Sequence, residues 1–380
     1  MCLSSSEKSV ALENAALGNG EYDGKSKTTA TATDPTPPAN QSSPGIMRLL
    51  LWCLFTYLSK EFGIFLPAFQ SKAGANTFIP ASYKYDDENT HFDNSILTYG
   101  TDYALCVIML YGAYQCLNAT SCNSTVTHTT HGTHATQQLN NATLSKSLRI
   151  KSACLFFSYA ISVFAGGYAH QTFTGGIDEL NTIRFRIWWT VCVGTVTAAG
   201  GFMGACGSEI YKRLNLNGNP SRVRFRFLYV HDIMWVIYGG YMTWVCVEGG
   251  ISYKRPACDI FAAGTTQFIP TVYCVLAVLS VKWNEAKLIS EGQHHSSSDG
   301  VVDRIRQKVL YIFCVGFFLN APLLPTYPLY IQYTSLSLGV VNTILHSNLT
   351  VAWSMQALSL CHFCEAFNYT GHGIGEKKNA

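Results

Sequence analysis

SACLFFSYAISVFAGGYA, residues 152–169, decides the fold, because it runs for eighteen positions without a charge. Written as an α-helix it extends about 27 Å, close to the roughly 30 Å hydrocarbon core of a bilayer. Its apolar residues follow one another without the alternation of a barrel strand. In lipid only a helix or a closed barrel satisfies its own backbone, so the stretch reads as a membrane-spanning helix.

Six further apolar stretches have the same character, at about 97–117, 187–207, 227–247, 258–281, 309–332 and 336–361. Together they predict an all-α, polytopic membrane protein built as a seven-transmembrane-helix bundle over residues 97–361. Composition agrees: of 380 residues, 48% are hydrophobic and only 13% charged, too apolar for an ordinary soluble domain. A net charge of +3 makes no case for nucleic acid, since the basic residues sit in loops between apolar spans. The 14 cysteines are scattered, several inside spans (Cys106, Cys154, Cys192, Cys246, Cys274, Cys314), which is buried-thiol usage rather than a disulfide framework.

The flanks differ. Residues 1–45 are rich in Ser, Thr, Ala, Asn, Gly and Pro and read as a disordered N-terminal tail. Residues 46–69 hold the short apolar run MRLLLWCLFTYL, interrupted by Lys60 and Glu61; a signal peptide, a signal anchor and an extra, eighth span all remain open. Residues 362–380 form the C-terminal tail, which closes on Lys377, Lys378, Asn379 and Ala380. That ending has the form of an endoplasmic-reticulum retrieval signal recognised by coat protein. Cys361 and Cys364, in CHFC, stand where the last span ends, a suitable place for S-palmitoylation.

Basic residues orient the bundle. Lys146, Arg149 and Lys151, then Lys212, Arg213, Arg222, Arg224 and Arg226, then Lys282, Lys287, Arg304, Arg306 and Lys308 fall in linkers that share one side by parity. The basic-residue bias makes that side cytosolic, so the first span starts in the lumen and the C-terminus is cytosolic, as a retrieval tail requires. The sequons at Asn118, Asn123 and Asn141 then lie in a cytosolic linker, where an Asn-, Ser- and Thr-rich composition produces them without glycosylation.

Ionisable groups inside a bilayer are costly, and each is a functional candidate. Asp102 lies near the lumenal start of the first span, His170 at the lumenal end of the second, and Asp178 and Glu179 just beyond it. Glu248 and Asp259 end the fourth span and open the fifth, while Asn342 and His346 share one face of the seventh because they are four residues apart. Only His231 and Asp232 sit at the other membrane surface. Two imidazoles and a carboxylate at one depth suit zinc with an open position for water, with His170, His346 and Asn342 as metal ligands and Asp178 or Asp102 as the proton acceptor. Polar residues that simply reach the headgroup region explain the same pattern without a metal.

With those residues in view, the chain resembles the seven-span superfamily that includes the alkaline ceramidases and the adiponectin and progestin receptors. The resemblance rests on Ala165-Gly166-Gly167-Tyr168-Ala169-His170, on Asp178-Glu179-Leu180 and on His346. It implies zinc and hydrolysis of membrane-lipid amides. The departures are Asn342, where the family's other seventh-span histidine belongs, Gly166 in place of a serine, and a short distance from His170 to Asp178. Asp86, Asp87, Glu88 and Asp93 are placed like the ceramidases' calcium-binding segment.

Two other classes stay open. His128, His131 and His134 recur at three-residue spacing in the first cytosolic loop, with His294 and His295 in another, as in metal transporters; a flexible Thr- and His-rich loop without function is the plainer account. A non-enzymatic receptor or sterol-binding protein fits the span count equally well.

Overall fold

The computed structural model describes residues 93–118, 133–173, 177–180, 182–217, 229–252, 260–290, 299–323 and 336–369. These carry seven long helices and one short one, with no strand among them: α1 Ile96–Asn118, α2 Thr133–Thr172, α3 Ile177–Leu180, α4 Ile183–Asn217, α5 Asp232–Ser252, α6 Ile260–Ser290, α7 Asp299–Asn320 and α8 Leu338–Tyr369. The all-helical expectation holds. By length and composition three helical segments can cross a membrane, Ile96–Asn118, Lys146–Thr172 and Ile183–Lys212, and two shorter apolar segments are Thr266–Ser280 and Lys308–Asn320. The N-terminal tail, residues 46–69, His128 and His131 of the histidine repeat and the Lys377-Lys378 ending lie outside the described residues, while His134 falls in the first turn of α2.

Helix ends depart from the hydropathy limits for physical reasons. Helix α2 begins at Thr133, well before the charge-free stretch, since polar residues such as Gln137 and Lys146 propagate a helix in water. Helix α7 stops at Asn320, and the rest of the expected span, 324–332, lies outside the described residues. Ala321 and Pro322 form a turn there, proline lacking the donor that the next rung needs. Helix α8 carries eight residues of the expected tail, to Tyr369.

Helix α4 is the hub. It packs against α2, α5 and α6, while α8 packs against α1, α2 and α7 and α1 lies against α2. The glycines of α4 make its contacts possible. A methyl group at Gly201 would come within 2.8 Å of both Gly239 Cα and Trp235 O on α5, and one at Gly204 would overlap the Trp235 ring. Small residues thus let two backbones approach, the way helices associate where no hydrophobic effect drives them. Outward faces stay apolar, with Val107, Phe157, Ile187, Trp244 and Phe318 all more than half exposed, as lipid contact demands.

At the end of the bundle away from His170, four charges from three helices meet. Lys212 Nζ lies 3.1 Å from Glu209 Oε1 and 3.0 Å from Asp232 Oδ1, and Lys151 bonds both carboxylates as well. This knot ties α2, α4 and α5. The prediction from the packing is that Gly201→Val and Gly204→Leu lower the thermal midpoint in detergent, at a cost of at least about 1–3 kcal/mol for overpacking. Gly240→Ala, where an added methyl meets nothing within 4 Å, should leave the midpoint unchanged.

Candidate metal centre

The site begins with a turn ahead of α1. Asp93 Oδ1 accepts the Ser95 N–H at 3.0 Å and its Oδ2 accepts the Thr98 hydroxyl at 2.7 Å, so the carboxylate folds over the first turn of the helix. One further turn along α1 stands Asp102, 3% exposed. Its neighbours on α2 are Gly166 and Gly167. A methyl group at Gly167 would lie 3.1 Å from Asp102 Cβ, and one at Gly166 would lie 3.5 Å from Asp102 Oδ2. Gly167 therefore gives the Asp102 side chain its room, whereas at Gly166 the tighter neighbour is Cys192 Sγ at 3.3 Å.

One turn beyond the glycines is His170, 4% exposed, whose Nδ1 lies 2.6 Å from the Asp93 backbone oxygen. A carbonyl oxygen can only accept, so Nδ1 carries the proton in this contact. From α8, His346 Nδ1 lies 2.7 Å from Asp102 Oδ1. The two imidazoles stand edge to face, their centroids 5.5 Å apart at 86°, and Trp189 of α4 closes one side of His170 at 6.3 Å and 84°.

Asp102, His170 and His346 each offer a ligand atom within 4.8 Å of the other two, a buried group that can hold a metal ion. Hydrogen bonds on the ring nitrogens that face away from a metal are the usual means of aiming histidine ligands. Here the Asp93 carbonyl serves His170, while His346 Nδ1 and Asp102 face each other directly.

The structure distributes the expected residues unevenly. Asp102, His170 and His346, drawn from three helices, come together. Asn342 donates its amide to Asp93 Oδ2 at 2.9 Å and so steadies the turn that holds His170. Asp178 falls in the short helix α3, with its side chain outside what is described. Asp86, Asp87, Glu88 and Asp259 also lie outside, and Asp93 acts as a cap with both oxygens engaged. The role of Asp93 was missed from sequence, although Asp93, Ser95 and Thr98 directly before an apolar run are the pattern of a helix start.

Burial of Asp93 opposes its ionisation, but the bonds from Asn342, Thr98 and Ser95 outweigh that and hold its carboxyl below the ordinary range. A carboxylate depressed in the folded state contributes stability above its unfolded value, about 3.9, and loses it as pH falls through the lower folded value. Wild type should therefore exceed Asp93→Asn in thermal midpoint near neutral pH. The gap should close below about pH 4, measured in detergent across a pH series; a gap independent of pH would remove the electrostatic account.

No protein-family model, no curated protein and no solved structure matches the chain.

Proposed function

We propose that the chain is a seven-span membrane hydrolase in which Asp102, His170 and His346 hold a zinc ion and an amide of a membrane lipid is cleaved. The observation that carries this reading is the convergence of two imidazoles and one carboxylate, from three helices, at a single buried point. Such a set suits zinc with a position left for water, and when bound the ion would make that water nucleophilic near neutral pH. His170 is held through Nδ1 by the Asp93 carbonyl, so its Nε2 would be the ligand atom, and Asp102 and His346, 2.7 Å apart, would supply the other two ligands. Asp178, in the short helix that follows α2 in sequence, is the carboxylate that would accept a proton from metal-bound water. Asn342 acts at one remove, by steadying Asp93.

Lipid as substrate follows from the surroundings. An apolar groove of about 390 Å³ runs along α4 and α5, lined by Ile187, Val191, Thr195 and Val247. It begins at Ile183 and includes Arg186, three residues along α4 from the Trp189 ring that faces His170. An acyl chain suits such a groove, which already faces the hydrocarbon. The proposal includes seven spans, the His170 end in the lumen, the C-terminus in the cytosol, and residence in the endoplasmic reticulum or early Golgi through coat-protein recognition of Lys377 and Lys378. It rests for these on the basic linkers and the tail. Metal transport is the second reading, since a buried Asp-His-His group at membrane depth also serves ions that cross.

Metal content and turnover separate the two. Purified protein should hold about one zinc per chain, retained when residues 128–134 are deleted and lost in His170→Ala, His346→Ala and Asp102→Ala. Wild type in mixed micelles should release fatty acid from long-chain N-acyl lipids, and Asp178→Asn should keep the metal but cut the rate by about 10²–10⁴-fold. Zinc uptake into vesicles without hydrolysis would establish the transporter instead, and a metal-free protein would sink both. Changing Lys377 and Lys378 to serine should move the protein out of the early secretory pathway, followed by fluorescence microscopy.

A further inference from the structure

The first turn of α4 carries positive charge where the sequence elsewhere avoids it. Most basic residues fall in the linkers at the far end of the bundle, where Lys151 and Lys212 gather, and a helix start favours anions. Arg184 and Arg186 nevertheless stand in that turn, at the end that holds His170. Arg186 is buried. Arg184 is exposed and yet held in place: its Nη2 donates to the Tyr168 hydroxyl at 2.9 Å, and its guanidinium carbon lies 5.6 Å from the centre of the Phe173 ring. Among the described residues no carboxylate pairs with it.

Arg184 stands at the head of the groove between α4 and α5. Ile187, Val191 and Thr195 follow it at helical spacing on one face of α4, and all three line the groove. From Ile183 to Thr195 the groove follows α4 for about 18 Å. Thr243 and Val247 of α5 form the other wall. A methyl group at Gly194 would lie 3.9 Å from each of them, so the glycine leaves the floor between the walls without a side chain. Helical side chains lean toward the N-terminus, which carries the Arg184 guanidinium past the groove's end toward the depth of lipid headgroups.

We propose that this groove binds a phospholipid of net negative charge, its acyl chain along Ile187, Val191 and Thr195 and its phosphate on Arg184. The hydrolase reading already places a lipid chain here, and on that reading alone rests the class of the occupant; Arg184 adds the headgroup. Charge complementarity decides which headgroup. A guanidinium offers five N–H donors in a plane and grips phosphate in pairs, whereas a zwitterionic headgroup brings a cation of its own to compete. Tyr168 and Phe173 fix the fork before any lipid arrives, so less ordering is left to oppose binding. Ile187, 55% exposed at the wall, is the kind of surface that an acyl chain covers.

The test uses the full chain, purified and stripped of lipid in a neutral detergent, with lipid binding followed by native mass spectrometry. Phosphatidylglycerol and phosphatidylcholine with the same acyl chains are the probes, and oleate and inorganic phosphate are the further arms. Wild type should bind phosphatidylglycerol at least about 10-fold more tightly than phosphatidylcholine, a preference that Arg184→Gln removes and Arg184→Lys keeps in part. Gly194→Leu, which fills the groove, should weaken both lipids, with thermal midpoints checking that each variant is folded. His170→Ala and His346→Ala should leave the binding unchanged, so loss of the hydrolase reading would leave this site standing. Equal affinity for the two headgroups, or a preference that survives Arg184→Gln in folded protein, would overturn the proposal. Oleate bound more tightly than phosphatidylglycerol, or phosphatidylglycerol displaced by inorganic phosphate, would reduce the site to one for any simple acid and overturn it as well.

Discussion

A carboxylate in hydrocarbon must have a partner, and Asp102 has found one at 2.7 Å in His346. Much of the site's architecture can be traced to that requirement. Leaving either group alone would strand a charge or a strong dipole where water cannot compensate it. The pair forces α1 against α8, Gly167 of α2 gives the Asp102 side chain its room, and His170 enters from the third side. The burial that makes the group expensive also makes it chemically useful, because a metal or a proton held there is screened by nothing.

The two ends of the bundle meet the same constraint with different chemistry. At the His170 end the polar groups form a chain: Asn342 to the Asp93 side chain, the Asp93 carbonyl to His170, and separately Asp102 to His346. At the other end two lysines and two carboxylates neutralise one another. The first arrangement brings two imidazoles and a carboxylate within ligand distance of one another, whereas the second leaves only mutual compensation. That contrast, more than burial, marks the first as a place for chemistry and the second as a clasp.

The helices were legible from hydropathy because lipid leaves little choice of backbone, and Asp102, His170 and His346 were legible because a polar group in an apolar run is conspicuous. Their convergence was not. It depends on how α1, α2 and α8 pack, and no spacing within one helix encodes that. Asn342 shows the difference well: it stands one turn from His346 on α8, and its amide is drawn to a carboxylate 249 residues away in sequence. Helix ends failed for a simpler reason. The polar first half of α2 propagates in water, so hydropathy registers only the part that lipid selects.

The lysine and carboxylate knot bears on the order in which the helices can close. Glu209 and Lys212 stand three residues apart on α4 and can pair within that helix alone. Lys151 of α2 and Asp232 of α5 complete the set only when their helices lie beside α4. The pair on α4 is thus a socket made in advance, and the two remaining charges fit it only when both neighbours have docked in register.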